Sequence, residues 1–560
     1  MRRRRMNKIG TIMLIAIMLA ACSETGQVER YSEATPVMTN TEAPRDSNGL
    51  YLLGQEPLHL TFYGHYSYYE MPKWGADPSS RWIRDQLNIH ITQIGHEGNA
   101  DHKLQQMIAS GELPDLIWGE RDSDLERMRE AGMLVPLNAY IEKYPNLKQW
   151  ASPKVLKMLQ AEDGNIYYFP NYYTDKPYGN AGYVVNREIY SKLGSPKLET
   201  TDDLYSYLKE VKRRYPDVIP FETGIASEGH GIDQLFSAFK ENNFSFTRYY
   251  AVVNGDKMTS IYKDEGFRES ALFVAKLMRE GLMTTNAMLQ TEDQVLEKLR
   301  NGEVAVHASA DPLRLASIAN AELSRNNPDA GYICIPPIYK DGLDPEKIYP
   351  GTYNVLGWNV TAITTAAENP EALFAMLDWM TGPFGSAVQF WGPPGPTGFW
   401  DGFQEDGFTP NFTSRYGYDT EELTRIQSLS GKMIWVGNTK FLDETKLAYE
   451  ETLPPNQRNW TTYWQKEVTW QSQGDATPFI NLFPMPNSTE GVILERVKDI
   501  WLDARAYALY AQSDEEVLAI LDDAHESSMD IGFQLYLDYI TEKWHANLEA
   551  LETVEPQGAK

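Results

Sequence analysis

Between residues 58 and 118 the apolar positions switch repeatedly between strand and helix spacing. In LHLTFYGHY, Leu58, Leu60 and Phe62 alternate with polar or aromatic neighbours as in a strand, and Gly64 marks its end. SSRWIRDQLNIHITQIG follows, with Trp82, Ile83 and Leu87 on a helical stripe and then Ile89 and Ile91 at strand spacing. ADHKLQQMIASGELPDLIWG repeats the unit: Leu104, Met107 and Ile108 share a helix face, Gly111 ends it, and 116–118 form a short apolar strand. Strand, helix, strand, helix, strand predicts a parallel sheet, and such sheets bind ligands beyond the carboxyl ends of their strands. The loops after Tyr63 and Trp118 are therefore expected to face a cleft.

Further along, AEDGNIYYFP predicts a hairpin with Asp163 and Gly164 at a turn that needs positive φ; the other ligands of a calcium loop are missing. AGYVVNREIYSKLG reads as strand then helix, and in ETTDDLYSYLKEVKRRYPD, Thr200 or Thr201 caps a helix with Asp202 and Asp203 in its first turn. QTEDQVLEKLRNGEVAVHASADPLRLASIANAEL gives helix, strand and helix; NVTAITTAAENPEALFAMLDWM gives strand and helix, followed by an aromatic glycine-proline turn. From SDEEVLAILDD onward the chain reads as long amphipathic helices, and it contains no internal repeat.

The amino-terminal segment changes the picture. Arg2, Arg3, Arg4, Arg5 and Lys8 precede an apolar run, 9–21, that is too short to span a bilayer and reads as a secretory signal. Leu19-Ala20-Ala21-Cys22 resembles the lipobox of bacterial lipoproteins, which implies removal of residues 1–21 and a diacylglyceryl group on Cys22. Two acyl chains hold a protein at a membrane where one does not. Cys22 and a spacer then occupy 22–54; through residue 49 the stretch is polar and without periodicity, and disorder is expected there.

The formal charge of −27 becomes −32 without residues 1–21, which argues against nucleic acid and against charge-driven binding to anionic lipid. Of the two cysteines, Cys22 and Cys334, the second lies in the apolar run YICIPPI and is expected to be a buried thiol, so the fold needs no disulfide. A mature chain of 539 residues is too long for one core and predicts at least two lobes.

SGELPDLIWG followed by REAGMLVPLNAYIEKYPNLK, then EDGNIYYFPN and GYVVNREIYSKLGSPKLETTDDLYSYLKEVK, then NGEVAVHASADP and NPEALFAMLDWM, stand in an order that resembles the family 1 extracellular solute-binding proteins. These are the maltose-binding-protein-like receptors of ATP-binding-cassette importers, and the resemblance extends to the large LipO-like lipoproteins of Gram-positive bacteria. It implies an α/β, two-lobed periplasmic-binding-protein-like fold of class II, each lobe a sheet flanked by helices, joined by crossings near 167–184, 338–355 and 391–399. Lobe one is expected at 55–175 plus 355–392, and lobe two at 180–340 plus 395–550. The resemblance also implies a monomeric receptor, lipid-anchored on the extracellular face of the cell membrane, that takes a carbohydrate, an oligosaccharide, between its lobes. Its partners would be the sugar and the permease subunits, with no cofactor, metal or catalytic residue of its own.

A sugar presents a hydroxylated rim and apolar C–H faces, so its site needs flat aromatic platforms beside carboxylates and amides. The loop YGHYSYYEMPKWG offers His65, Tyr66, Tyr68, Tyr69, Glu70 and Trp74; Trp118 and Glu120 follow the third strand. The first crossing adds Asn171, Tyr172, Tyr173 and Tyr183; Ser309 and Asp311 end the strand EVAVHA at a helix amino terminus; Trp391 and Trp400 flank the glycine-proline turn. Each has a plainer reading: loop packing for the aromatic cluster, core for Trp118, a helix cap for Asp311, packing for Trp391 and Trp400. No His-Glu-x-x-His, phosphate-binding loop, Gly-x-Ser-x-Gly elbow or Cys-x-x-Cys is present. An exported glycoside-active enzyme with paired carboxylates, and a surface-structural lipoprotein, remain open alternatives.

Overall fold

In a computed structural model, residues 44–244 and 246–554 are described, and two sheets organise them. The signal segment, Cys22 and the spacer up to residue 43 lie outside the described residues. The first sheet has six strands, in the order Gly437–Asn438, Tyr168–Tyr173, Asn359–Ile363, Leu116–Gly119, Leu58–Gly64, Ile89–Gln93. Leu58–Gly64 runs parallel to both Ile89–Gln93 and Leu116–Gly119, as the alternating pattern predicts. Phe62, Leu116 and Ile117 are fully buried there, and each such side chain contributes about 1.5–3 kcal/mol.

Local signals delimit the covering helices. Asp77 accepts bonds from the Ser79 and Ser80 amides and opens Pro78–Leu87; Asn99 caps Ala100–Ser110, which Gly111 closes at φ +73°. In the other half, Thr200 caps Thr201–Arg214 in a reciprocal box with Asp203.

The second sheet is four-stranded, in the order Tyr332–Ile335, Gly182–Asn186, Val304–Ser309, Ile219–Glu222. Its core joins Tyr183, Val185, Leu204, Leu208, Phe221 and Val306. Cys334 is a buried free thiol on the other side of this sheet, packed with Val184 and Tyr332. The long carboxyl-terminal helices Thr489–Tyr510, Asp514–Asp530 and Phe533–Glu552 pack around Val497, Trp501, Phe533 and Tyr536. Among the described residues no helix is long and apolar enough to cross a membrane. The fold is the two-lobed α/β type that the sequence pattern implied.

Three connections run between the sheets. Tyr168–Tyr173 leaves the first sheet and re-enters the second as Gly182–Asn186; the return runs from Tyr332–Ile335 to Asn359–Ile363. Both lie where the family resemblance implies them. The third does not. Residues 395–438 stay with the first sheet: the hairpin of Trp400–Phe403 and Pro410–Phe412 is followed by Thr420–Leu429, and Gly437–Asn438 pairs with Tyr168–Tyr173. The chain crosses only afterwards, between Gly437–Asn438 and Gln473–Asp475, whose strand pairs with Gly351–Tyr353. The aromatic glycine-proline turn near 391–399 is thus a local reversal and not a passage between lobes.

The spacer is also shorter than its composition suggests. Residues 44–51 are docked on the first half of the molecule: Arg45 bridges Tyr51 in a short antiparallel contact, its guanidinium pairs with Glu371, and the buried Tyr51 donates its amide to the Tyr144 hydroxyl at 2.9 Å. A polar stretch can order when its few apolar and charged side chains meet partners already in place.

Gly357 ends the second crossing at φ +72°, and a side chain on it would collide with the Asn171 carbonyl. This close approach brings residues 357 and 358 against the first crossing strand. Gly357→Ala is therefore expected to destabilise the protein by about 1–3 kcal/mol, read from a shifted denaturant midpoint.

Candidate functional site

The largest cavity of the lobe junction, about 640 Å³, lies where the three connections converge. Tyr172, Thr174, Tyr178 and Asn180 reach it from the first connection, and Thr352, Tyr353, Asn354 and Trp358 from the second. Asp311 and Arg314 come from the start of the helix Pro312–Asn326, and Thr439, Asp443, Lys446, Gln465 and Trp470 from the third. A smaller cavity of about 260 Å³ adjoins it through the shared Asn180 and Thr352, and is walled by His230, Asp233, Gln234, Tyr349 and Gln473.

A hydrogen-bonded chain runs through the polar wall. The Gln465 side-chain amide donates to Asn180 at 2.9 Å, Asn180 in turn donates to Asp311 at 3.4 Å, and Lys446 donates to Gln465 at 3.3 Å while pairing with Asp443 at 2.6 Å. Asp311 also accepts from the Arg314 amide at 3.3 Å, so it caps its helix and lines the cavity at once. Burial pushes the Asp311 carboxyl above its ordinary range, and Arg314 and Asn180 offset this only in part. Burial likewise lowers the His230 imidazole, which favours its neutral form.

The apolar wall is aromatic. Trp470 meets Tyr178 edge-on at 4.7 Å between ring centres. Trp358 keeps 48% of its surface exposed while its ring packs 5.6 Å from Tyr66 and 5.8 Å from Trp118. Tyr66 continues the cluster to Tyr68, which is 73% exposed, and Tyr69 backs Trp118 at 4.8 Å. The tyrosine loop thus reaches the cavity through Trp358, and Tyr68 leaves a flat ring in solvent beside it. Burial pushes the Tyr68 phenol to about 12, with Glu120 adding to the shift.

Of the residues singled out in the sequence, Tyr172 and Asp311 line the large cavity, and Tyr66, Tyr68, Tyr69 and Trp118 form the cluster that supports Trp358. Glu120 pairs with Arg248 at 3.5 Å. His65 turns away, with Nε2 3.6 Å from Asp101 and 3.5 Å from Asp124. Burial opposes charge on His65, yet Asp124, Asp122 and Asp101 outweigh it and raise its pKa. His65, Asp101 and Asp124 have the spacing of cation ligands, but Asp124 is already held by Arg127 at 3.0 Å and Asp101 is exposed. Glu70 is exposed, and Trp74 donates from Nε1 to the Ile89 carbonyl at 2.8 Å, tying its loop to the strand Ile89–Gln93.

Asn171, Tyr173, Tyr183 and Ser309 are buried behind the cavity wall. Asn171 donates to the Ile434 carbonyl and the Tyr183 hydroxyl to that of Gln234. Trp391 and Trp400 are core residues outside the cavity. Trp391 packs on Phe390, Phe412 and Tyr416, and Trp400 donates to the Gly392 carbonyl at 2.7 Å, because the tight turn folds both rings inward.

Trp358, Tyr178, Tyr353, Lys446, Gln465 and Trp470 were not singled out from sequence. Trp358 sits three residues beyond the expected second crossing, directly before the strand it precedes, and that position was its signal. TTYWQKEVTWQ mixes amides and aromatics in one short stretch, a weaker signal for Gln465 and Trp470.

Residues 86–385 match the model of the family described as bacterial extracellular solute-binding protein. In sequence the chain is 27% identical over 257 residues to FusA of Streptococcus pneumoniae serotype 4, a fructooligosaccharide ABC transporter substrate-binding protein, covering 42% of this chain and 47% of FusA. It is 27% identical over 206 residues to the lipoprotein LipO of Bacillus subtilis, covering 35% of this chain and 38% of LipO. The sequence match thus spans under half the length of both relatives. In structure, FusA with kestose superposes with a TM-score of 0.64 at 20% identity over 88% of this chain and 99% of FusA; the alginate-binding protein AlgQ2 without calcium ion gives 0.64 at 19% over 88% and 98%.

Proposed function

The chain belongs to the bacterial extracellular solute-binding proteins, and on that premise we propose that it captures an oligosaccharide between its two lobes and delivers it to the permease of an ATP-binding-cassette importer. The observation that carries this reading is the junction cavity, in which the half-exposed Trp358 ring faces a wall of linked amides and carboxylates. A sugar ring lays its C–H face on such a platform and turns its hydroxyls to such acceptors. FusA, a fructooligosaccharide-binding protein solved with kestose, supports the choice of an oligosaccharide. Contacts drawn from both lobes exist together only when the lobes are closed, so a ligand that makes them favours closure. The receptor would act as a monomer, held on the outer face of the membrane through lipidated Cys22, and would return its sugar chemically unchanged.

Three outcomes test this. A cognate oligosaccharide at a hundred times its Kd raises stability by about 2.7 kcal/mol in a thermal-shift assay and is recovered intact by chromatography; shortened products would make the protein an enzyme. Trp358→Ala weakens binding roughly tenfold by calorimetry with little change in unliganded stability, because the ring is half in solvent. Affinity falls as pH is lowered through the Asp311 titration, which burial starts at a higher pH than for an exposed aspartate. The ionised carboxylate is the stronger acceptor for sugar hydroxyls and is lost on protonation, so calorimetry of Asp311→Asn should show weaker binding without that fall.

A further inference from the structure

We propose that this cleft selects uncharged oligosaccharides and turns anionic ones away, a specificity that rests on the receptor reading above. Among the described residues lining the two adjoining cavities, the only lysine or arginine side chains are Arg314 and Lys446. Each is already paired with a protein carboxylate. Both terminal nitrogens of Arg314 donate to Glu292, Nη1 at 2.9 Å and Nη2 closer still, as a bidentate pair. Lys446 is held by Asp443 at 2.6 Å and by Gln465, with its ammonium 5.5 Å over the Trp470 ring.

The remaining charge is acidic. Asp311 and Asp443 line the large cavity, and Glu228 and Asp233 the small one, where Arg505 pairs with Asp233 at 2.5 Å from outside the wall. His230 adds no compensating charge, since burial favours its neutral form. A carboxylate or sulfate entering here would give up its hydration, meet several like charges, and find each nearby cation already committed to a protein carboxylate. Hydroxyl groups meet the opposite situation. Asp311, Asp443 and the Asn180 and Gln465 amides offer acceptors and donors already oriented by one another, and Trp358 and Trp470 offer apolar surface. The same wall that suits a neutral sugar is therefore unsuited to a uronic acid, sulfated or sialylated one.

The pairing of Arg314 can be undone without touching the wall. Glu292 lies outside both cavities, about half exposed at the start of the helix Glu292–Arg300. Glu292→Gln keeps its shape and leaves Arg314, which does line the cavity, without its countercharge.

The test uses purified residues 23–560 and two oligosaccharide pools of matched length: a neutral pool from fructan, xylan, mannan and glucan hydrolysates, and an anionic pool from alginate, polygalacturonate and sulfated galactan hydrolysates. Species retained by the protein are identified by native mass spectrometry at low salt, and their affinities are measured by calorimetry. Retention from the neutral pool alone supports the proposal. Glu292→Gln should then raise affinity for length-matched uronates at least fivefold while leaving the neutral ligand within about twofold, the latter serving as the check on folding. Equal or preferential retention of anionic species by the unaltered protein overturns the charge selection and leaves the receptor reading intact. No change in uronate affinity in the folded variant overturns the role given to the Arg314 pair, and retention from neither pool overturns both the selection and the reading beneath it.

Discussion

The antiparallel pairing of Tyr168–Tyr173 with Asn359–Ile363 is the constraint on which the rest of the molecule depends. These two strands are the first-sheet ends of the two central connections, and their register sets Asn359 opposite Asn171. The next residue outward on each, Trp358 and Tyr172, consequently emerges at the same level, at the mouth of the cavity. A slip of one residue would turn every side chain of the strand to the other face. The third connection is tied to the same pair, since Thr361 donates to the Trp435 carbonyl at 2.7 Å and Asn171 to that of Ile434 at 2.8 Å. Three passages of the chain are thereby stitched at one height, which is why residues from 172, 358 and 443 can share a wall.

That wall combines two economies of packing. Its aromatic side is a continuation of the core: Trp118, Tyr69 and Tyr66 are buried, while Trp358 and Tyr68 break the surface. Its polar side is a continuation of helix capping and ion pairing, with Asp311 serving as a cap and Lys446 held by Asp443 before any ligand arrives. Groups positioned by the fold in this way need little further ordering on binding, which lowers the entropic cost of recognition.

The parallel strands at Leu58–Gly64 and Ile89–Gln93 and the helices with explicit caps were legible in the sequence, because each leaves a local mark: alternation, a cap residue, a glycine stop; the first two connections followed from the family resemblance alone. The third connection left none. The segment around Trp391 and Trp400 has the aromatic, glycine-rich look of a binding loop, and only the tertiary fold shows that Gly392 lets both rings turn inward. The cavity was legible in part for the same reason. Asp311 follows a strand end that periodicity can locate and Tyr172 lies at the crossing that the family resemblance implies, whereas Lys446, Gln465 and Trp470 become neighbours of Tyr178 and Asn180 through a crossing nearly three hundred positions away in the chain. Residues 44–51 misled in the opposite sense, since their polar composition hides the two side chains, Arg45 and Tyr51, that dock them.

The docking of that short segment has a mechanical consequence. Because Arg45 and Tyr51 fasten the chain to Glu371 and Tyr144, a pull reaching Arg45 is passed to the body built on the first sheet. In a tethered receptor that body would be the stator and the second sheet with its helical bundle the rotor. A load on such a tether would then fall on that body and not on the cleft between the two sheets.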